Sequence, residues 1–338
     1  MAFDKYSRQI LFTPIGREGQ ERLGRARVVI VGCGALGTAQ ANALVRAGVG
    51  RLRIVDRDYV EESNLQRQLL FDEADATENL PKAVAAERHL RLLNSEVSVE
   101  GVVADVDARS IEAQVAGFDL ILDGTDNFET RFLINDAALK LGIPWVYGAV
   151  VGSYAATLTV LPGCTPCLAC VFPERPHGSQ ETCDTVGVIS PAVAWAAAVQ
   201  VTEAMKILTG QDGDLHGTLF ACDIWKNRLQ QVKTRLNPEC RACRKREFTY
   251  LEGDGLSRTT LLCGRNSVQI RQPDNRTLDL EALRARLERQ GPVRANPFLL
   301  HFDRDPYELT VFADGRAIVK GTDDAAVARR IYAQYIGS

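Results

Sequence analysis

Residues 28–37 read VVIVGCGALG, and this stretch decides the fold. Its first four residues are apolar and mostly β-branched, which is typical of a strand buried on both faces of a parallel sheet. The run continues into the pattern Gly-x-Gly-x-x-Gly, and a helix is predicted from residue 35 to residue 46. Glycines let the backbone approach a phosphate closely, and a helix start offers free N–H groups to it. The pattern also suits any tightly packed strand–turn–helix, so it does not establish a nucleotide site by itself.

A carboxylate after the second predicted strand strengthens the nucleotide interpretation. Residues 52–55 (LRIV) predict that strand, and Asp56 follows it. A partner for ribose hydroxyls is expected about 20 residues beyond the glycines, where Asp56 lies. The alternative is a solvated carboxylate at a strand end. Both NAD and ATP fit the sequence up to this point.

Length and composition are those of an ordinary globular protein. The chain has 338 residues, of which 46% are hydrophobic and 25% charged, with a formal net charge of −3. No overall positive field favours nucleic acid, and neither a signal peptide nor a membrane-spanning run is predicted. Nine cysteines without a predicted export signal favour a reducing, cytoplasmic compartment in which thiols bind metal or do chemistry.

A long polar stretch, residues 56–68, follows the second strand. Polar loops at the carboxyl ends of strands lie over the ligand crevice, so Asn64 and Arg67 are candidate phosphate contacts. Pro81 is predicted in the first turn of the next helix, with Lys82 close to its N-terminus. A cation is unfavourable there unless an anion is near, and a solvated lysine is the alternative.

A second polar cluster ends the strand predicted at residues 118–122. Two carboxylates, Asp123 and Asp126, and the amide of Asn127 could hold Mg²⁺ beside a triphosphate. NAD needs no metal, so this cluster favours ATP. The alternative is that Asp126 caps the helix predicted from 128 to 141.

The chain after residue 144 departs from a simple alternation of strands and helices. Strands are predicted at 145–147, 153–161, 217–223 and 229–233, and residues 191–208 predict a helix buried in a core or a dimer interface. The predicted fold is an α/β, Rossmann-like nucleotide-binding fold over residues 1–250, extended by antiparallel strands into a mixed sheet. Residues 255–338 predict a separate small α+β domain without a catalytic signal, for which protein docking or stabilisation is the default role.

Two Cys-x-x-Cys units predict a structural zinc site with four thiolate ligands. The downstream unit is Cys240 and Cys243, whereas upstream either Cys164 or Cys170 could partner Cys167. Cys183 stands apart in a polar loop, where it is either a nucleophile or a surface thiol. Three cysteines remain. Cys33 and Cys222 are predicted to serve as small core residues, and Cys263 is a strand-end cysteine that needs no function, with an anion-binding thiolate loop as the alternative.

These motifs, together with residues 6–9 (YSRQ), resemble the ThiF/MoeB/HesA family, relatives of the ubiquitin-activating enzymes. The resemblance spans residues 3–245 and is carried by residues 6–9, 32–37, 56–58, 63–68, 81–82, 123–127, 182–183 and the two Cys-x-x-Cys units. It implies binding of Mg·ATP. It also implies adenylation of the C-terminal glycine carboxylate of a ubiquitin-like sulfur carrier of the ThiS or MoaD type, with release of pyrophosphate.

The resemblance also implies roles for single residues. Arg67 and Lys82 are cations beside the phosphates, Arg8 reaches in from the partner of a homodimer, Asp56 holds the ribose and Asp126 the Mg²⁺. The other implied nucleotide contacts are Gly32, Gly34, Ala35, Gly37, Asp58, Asn64, Gln68 and Asn127. The implied zinc ligands are Cys167, Cys170, Cys240 and Cys243, which leaves Cys164 extra. Cys183 matches a loop cysteine that some members use in sulfur or acyl transfer.

The C-terminal segment departs from the pattern of some family members, and this departure bears on the expected partners. The C-terminal segment does not resemble a rhodanese domain, so the sulfur donor is expected to be another protein, a cysteine desulfurase or a rhodanese.

Two alternative function classes remain beside adenylation of a sulfur carrier. Adenylation of a peptide C-terminus or a tRNA base is the second class, and ATP–pyrophosphate exchange with candidate acceptors separates it from the first. A non-catalytic or NAD-binding Rossmann protein is the third, which nucleotide competition binding would detect.

Overall fold

The computed structural model describes residues 3–174, 183–253, 259–262, 266–270 and 278–337. The chain divides into two compact units, Met1–Asp254 and Gly255–Ser338. Each unit has buried apolar clusters of its own.

The first unit alternates strands and helices, as the pattern predicts. Its strands are β1 (Arg27–Val31), β2 (Arg51–Asp56), β3 (Ser98–Val103), β4 (Leu120–Asp123), β5 (Trp145–Val151), β6 (Tyr154–Val160), β7 (Leu219–Asp223) and β8 (Arg228–Val232). Its helices are α1 (Ser7–Ile10), α2 (Gly16–Leu23), α3 (Ala35–Ala47), α4 (Glu73–Thr77), α5 (Lys82–Leu93), α6 (Ile111–Val115), α7 (Phe128–Leu141), α8 (Leu168–Val171), α9 (Cys183–Val186) and α10 (Ser190–Thr209). The sequence did not predict α4, α6, α8 and α9, because such short helices show no measurable period.

The strands of this unit form one mixed sheet. In the described part of the chain their order is β3-β2-β1-β4-β5-β6-β7-β8, with β6, β7 and β8 joined antiparallel to a parallel half. β1 pairs in parallel with both β2 and β4, so the strand order reverses between β1 and β4. Open α/β sheets bind ligands at such a reversal, outside the carboxyl ends of the strands.

The apolar run of β1 is explained by burial on both faces. Val28 and Ile30 belong to the core under α3 and α5, and Val29 and Val31 belong to the core under α7. All four side chains are at most 2% exposed. A strand covered by helices on both faces needs continuous rather than alternating hydrophobicity, which is the pattern seen here.

The alanine-rich helix α10 lies in the core of the first unit. It packs against α3, β5 and β6, and Ala196 and Ala197 are buried in that contact. This confirms the core alternative of the sequence prediction, and the dimer alternative stays a prediction. Two polar residues on its inner side, Gln200 and Glu203, are also buried, and each is hydrogen-bonded.

The second unit is a small antiparallel sheet with two described helices. Its strands are β9 (Thr259–Leu262), β10 (Ser267–Ile270), β11 (Val293–Ala295), β12 (Leu299–Arg304), β13 (Tyr307–Phe312) and β14 (Ala317–Lys320), in the order β11-β12-β13-β14-β10-β9 among the described residues. Its helices are α11 (Leu280–Leu287) and α12 (Ala325–Tyr335). Asp279 and Asp324 accept hydrogen bonds from the first N–H groups of α11 and α12 and so set where each begins.

The predicted fold class is confirmed. A Rossmann-like parallel sheet is extended by antiparallel strands, and a small α+β unit follows. Within the described ranges, no helix has the length and apolar character needed to cross a membrane.

Candidate active site and tetracysteine cluster

Three polar segments meet at the carboxyl edge of the parallel strands. Val31, the last residue of β1, is in register with Val55 of β2 and Asp123 of β4. The glycine loop, Asp56 and the turn after β4 therefore leave the sheet at the same level. Gly32 N–H donates to Val55 O at 2.8 Å, and Gly124 N–H donates to Val31 O at 2.8 Å, which ties the three segments together.

The fold requires two of the three motif glycines, Gly32 and Gly37, but not Gly34. Gly32 has φ +94°, and a Cβ there would lie 2.7 Å from the Gly124 carbonyl, so only glycine fits. A Cβ on Gly37 would strike the Gly32 carbonyl oxygen. Gly34 has φ −80°, and a Cβ there would meet nothing closer than Gly124 O at 3.9 Å. The fold itself does not need glycine at position 34. The absence of a side chain there leaves the space beside the start of α3 open to a ligand.

The start of α3 borders that open space. Gly34 is its N-cap, and no described side chain caps it, so its first N–H groups point away from the helix without an intrahelical partner. The first repeating bond runs from Thr38 N–H to Gly34 O at 3.0 Å. Free N–H groups and the positive end of the helix dipole favour an anion here.

Asp56 joins the glycine loop to the end of β2. Its Oδ2 accepts from Cys33 N–H, and its Oδ1 accepts from Asp58 N–H at 2.7 Å. Burial raises the pKa of the Asp56 carboxyl, and the nearby Lys82 ammonium opposes that rise. Each oxygen retains a lone pair beyond the one used, so the carboxylate can still accept from ribose hydroxyls.

Lys82 is buried rather than solvated, so the solvated-lysine alternative is wrong. Its side chain is 4% exposed, and Nζ lies 3.6 Å from Asp58 Oδ2. Pro81 is the N-cap of α5 rather than a first-turn residue, which makes Lys82 the first residue of that helix. A cation held at the positive end of a helix is costly unless carboxylates or phosphates surround it.

A further arginine, which the sequence analysis did not single out, joins this cluster. Arg57 Nη1 lies 3.2 Å from Asp105 Oδ1, and its Nε lies 3.8 Å from Asp58 Oδ1. Burial opposes its charge, but the carboxylates of Asp105, Asp58 and Asp126 outweigh burial and raise the pKa of Arg57. Asp105 follows β3, far from Arg57 along the chain, so only the folded sheet reveals the pair.

The polar segment after β2 places its three candidate residues in different environments. Asn64 is buried and closes a capping box with Glu61 around a short helical turn. Arg67 is half-exposed, and its Nη1 donates to Ser63 O at 2.8 Å. Gln68 is 3% exposed, and its Oε1 has no hydrogen-bond partner among the described residues.

The turn after β4 corrects the predicted magnesium cluster. Asp123 is fully buried and ion-paired with Arg131 Nε at 3.2 Å, so its carboxylate cannot reach a bound metal. Asn127, not Asp126, caps α7, because Asn127 Oδ1 accepts from Thr130 N–H at 2.9 Å. The capping alternative for Asp126 is therefore wrong. Asp126 is exposed, and within the described chain its Oδ1 accepts a hydrogen bond from Asn127 Nδ2 at 3.4 Å.

Arg8 lies at the far end of α3 from the glycine loop. Its neighbour Gln9 donates to Ala47 O, in the last turn of α3, at 3.0 Å. The helix spans Ala35–Ala47, so its ends are about 20 Å apart at 1.5 Å per residue. Arg8 is exposed and makes no hydrogen bond or ion pair with the residues that the structure describes.

Four cysteines from two distant segments form one compact cluster. Cys167 and Cys240 place their Sγ atoms 3.6 Å apart, and Cys170 and Cys243 place theirs 3.4 Å apart. All four sulfurs lie within 4.8 Å of one another, whereas Cys164 is exposed and outside the cluster. The structure thus favours Cys170 over Cys164, the choice that the spacing left open.

The thiols of this cluster crowd one another. A hydrogen bond to Cys170 and burial raise the pKa of Cys167, and the same hydrogen bond lowers the pKa of Cys170 to about 4. Burial and the neighbouring sulfurs raise the pKa of Cys243 to about 12. Four thiolates this close repel one another unless a cation sits among them.

The remaining cysteines divide into two kinds, and Cys263 lies outside the described part of the chain. Cys33 and Cys222 are buried, as predicted for small core residues. Cys183 begins α9, but its side chain and residues 175–182 fall outside the described part of the chain. The hypothesis that Cys183 is a nucleophile therefore stays a prediction.

Comparison with known proteins decides the family. A model of the ThiF family matches residues 6–242. The chain belongs to the ThiF family. The match covers the sheet, the glycine loop and most of the tetracysteine cluster, and it ends before the second compact unit begins.

Curated relatives of this ThiF-family chain extend the comparison beyond the family model. It is 49% identical over 336 residues to the Bacillus subtilis "Sulfur carrier protein ThiS adenylyltransferase", covering 98% of this chain and 99% of that protein. It is 42% identical over 241 residues to the Haloferax volcanii "SAMP-activating enzyme E1", covering 71% of this chain and 88% of that protein.

Solved structures related to this ThiF-family chain support the fold alone. E. coli MccB matches with a TM-score of 0.63 at 23% identity, covering 72% of this chain and 73% of that one. MccB with ATP matches with a TM-score of 0.61 at 23% identity, covering 71% and 74%.

Proposed function

We propose that this protein is an adenylyltransferase that activates the C-terminal carboxylate of a ubiquitin-like sulfur carrier protein of the ThiS type. One observation carries the proposal: 49% identity to a ThiS adenylyltransferase along 98% of the chain. That match includes the second compact unit, which the family model does not reach. The carrier class therefore rests on the whole chain rather than on the nucleotide fold.

ATP is the nucleotide that we assign to the carboxyl edge of the sheet. The phosphates would lie against the start of α3, in the space that Gly34 leaves open. Asp56 would accept hydrogen bonds from the ribose hydroxyls while its backbone partners hold it in place. Asn64 and Gln68 line the adjoining polar segment, and the unpartnered Gln68 Oε1 supports a polar ligand there.

The reaction needs charge stabilisation rather than proton transfer. A carboxylate oxygen of the carrier attacks the α-phosphorus, and the bond from that phosphorus to the bridging oxygen of pyrophosphate breaks. Negative charge grows on the leaving pyrophosphate, and positioned cations lower the barrier. Lys82 is held by Asp58 in the free protein, and Arg67 is half-exposed, so that a phosphate could engage its guanidinium.

Magnesium fits one carboxylate of the turn after β4. Asp126 is exposed and little engaged by the protein, as a ligand for an oxygen-seeking cation must be. Mg²⁺ would neutralise phosphate charge when bound with ATP. Asp126 would hold it, while Asp123 and Asn127 support the turn from within the protein.

Zinc fits the tetracysteine cluster. Four thiolates at about 2.3 Å from a tetrahedral zinc ion lie about 3.8 Å from one another. The Sγ–Sγ distances of 3.4 Å (Cys170–Cys243), 3.6 Å (Cys167–Cys240) and 3.9 Å (Cys167–Cys170) bracket that value. Four protein ligands leave no open position, so we assign the zinc a structural role.

Two partners complete the proposal. Arg8 lies near the last turn of α3, whereas the glycine loop of the same chain lies at the first turn. A homodimer would instead bring Arg8 of one subunit to the phosphates of the other. A separate sulfur donor, a cysteine desulfurase or a rhodanese, would then act on the adenylated carrier.

The proposed function is tested by ATP–pyrophosphate exchange. We expect exchange with a ThiS-type carrier and none with the same carrier lacking its C-terminal glycine. Gly34→Ala is the matched variant. Its added Cβ would make no close contact with the protein, but it would occupy the space that we assign to the phosphates. It should keep the wild-type melting temperature while nucleotide affinity falls at least about tenfold.

Gly32→Ala serves as the opposite control. Its positive φ and its contact with Gly124 predict a loss of stability rather than a selective loss of nucleotide binding. Exchange with peptides or tRNA but not with the carrier would overturn the proposed acceptor. Full nucleotide affinity in Gly34→Ala would overturn the proposed phosphate position.

Cys183 is proposed to act after adenylation. Cys183→Ala should then keep ATP–pyrophosphate exchange and lose sulfurated carrier, because a thiol nucleophile attacks only the activated acyl group. Cys164→Ala is the control, since that thiol is exposed and outside the tetracysteine cluster. Loss of exchange in folded Cys183→Ala would contradict this order, and unchanged sulfurated product would make Cys183 a surface thiol.

A further inference from the structure

A buried arginine holds the turn that carries Asp126. Arg131 lies in the first turn of α7 and is 5% exposed. Its Nε lies 3.2 Å from Asp123 Oδ2, and its Nη2 donates to Thr125 O at 2.8 Å. The guanidinium thus bridges both ends of the short segment that precedes Asp126.

The other side of the turn is also held by hydrogen bonds. Asp123 Oδ1 accepts from Thr125 Oγ1 at 2.7 Å, and Asp123 Oδ2 accepts from Gly148 N–H at 3.2 Å. The Asp123 carbonyl oxygen accepts from Gln40 at 2.8 Å and from Gln200 at 3.0 Å. Side chains from α3 and α10 and the backbone of β5 therefore converge on one residue, three positions before Asp126.

The placement of Arg131 opposes ordinary helix electrostatics. A cation in the first turn faces the positive end of the helix dipole. Burial also favours the neutral form, yet Asp123 in particular, and Asp126 further off, raise the pKa of Arg131. Its guanidinium lies 5.3 Å from the Tyr147 ring centroid and 5.4 Å from that of Phe128, which confines it further.

We propose that Arg131 is a positioning residue, which fixes the Asp123–Asn127 turn so that Asp126 meets the divalent cation of the bound nucleotide. This inference rests on the proposed function. Because Arg131 is buried, it would not touch the nucleotide itself. It acts through the backbone of Thr125, which joins the buried Asp123 to the exposed Asp126.

The test substitutes Arg131→Lys, which keeps the charge but loses the fork that reaches Asp123 and Thr125 together. Binding of a fluorescent ATP analogue is titrated in EDTA and at a series of Mg²⁺ concentrations. We expect the EDTA affinity to stay within about twofold, because the glycine loop is intact. The Mg²⁺ concentration for half-maximal binding should rise at least about tenfold, as when a partner of a metal ligand is removed.

Arg53→Lys is the matched control. Arg53 also pairs with a carboxylate, donates to a backbone carbonyl and lies over an aromatic ring, through Glu100, Gln114 and Phe118. It lies within β2, away from the turn after β4, so its Mg²⁺ dependence should match the wild type. In an Asp126→Asn background, Arg131→Lys should add no further shift, because both changes act through the same carboxylate.

Thr125→Val provides a milder variant in case Arg131→Lys does not fold. It removes the hydroxyl donor to Asp123 and should shift the Mg²⁺ dependence in the same direction by a smaller factor. Wild-type Mg²⁺ dependence in either folded variant would overturn the inference, as would an equal loss of affinity in EDTA. If the wild-type protein binds the analogue without any Mg²⁺ dependence, the proposed role of Asp126 fails first, and this inference fails with it.

Discussion

Refolding Arg8→Ala together with Asp126→Ala should restore roughly a quarter of wild-type exchange activity from two variants that are nearly inactive alone. The exchange activity of each single variant should fall about a thousandfold or more, because each variant lacks one source of charge stabilisation at every site. The structural reason is the length of α3. Gln9 fixes the N-terminal arm to the last turn of that helix, whereas the glycine loop lies at its first turn.

The expected quarter follows from symmetry. Half of randomly paired dimers are mixed, and a mixed dimer has one intact site and one site that lacks both residues. The measurement is ATP–pyrophosphate exchange with the carrier after joint unfolding and refolding. The control is the same procedure with each variant alone. If Arg8 serves its own chain, every site in the mixture lacks one residue, and a correctly refolded mixture stays inactive.

Loss of the tetracysteine cluster should destabilise the protein strongly. Cys243→Ser should release one zinc ion per chain and lower the free energy of unfolding by about 4 kcal/mol, the size expected for opening a long cross-link. The cluster joins Cys167 to Cys240 across 73 positions of sequence. Without the metal, the segment after β8 loses its attachment to α8.

The matched control is Cys164→Ser, since that cysteine is exposed and outside the cluster. It should keep the zinc content and the denaturant midpoint of the wild type. Zinc should also dissociate as the pH falls, because the ligands must be deprotonated to bind it. Absence of zinc from purified wild-type protein would overturn the metal assignment. Zinc loss in Cys164→Ser with retention in Cys243→Ser would overturn the ligand set.

Local patterns in the sequence were sufficient wherever one segment decides its own structure. The β-branched run before Gly32 predicted β1, because a strand buried on both faces must be apolar at every position. The order of strands and helices predicted the Rossmann-like half. The paired Cys-x-x-Cys units predicted the tetracysteine cluster, since that spacing suits few other purposes.

The sequence misjudged or left open those side chains whose partners are brought into contact only by the fold. Asp123 was predicted to bind metal, but the fold buries it against Arg131. For Lys82 the sequence left a phosphate contact and a solvated residue both open, and the fold buries it beside Asp58. In both places, burial removed water as a partner, so a protein charge had to replace it.

The sequence by itself determined the fold class, the strand-to-helix turn at Gly32, the downstream cysteine pair and the family resemblance. Only the tertiary structure decided which polar residues are free to meet a ligand. It turned Asp123 inward, assigned the helix cap to Asn127 and left Asp126 exposed. The physical reason is that a charge is either solvated or paired, and long-range packing decides which carboxylates have a buried partner.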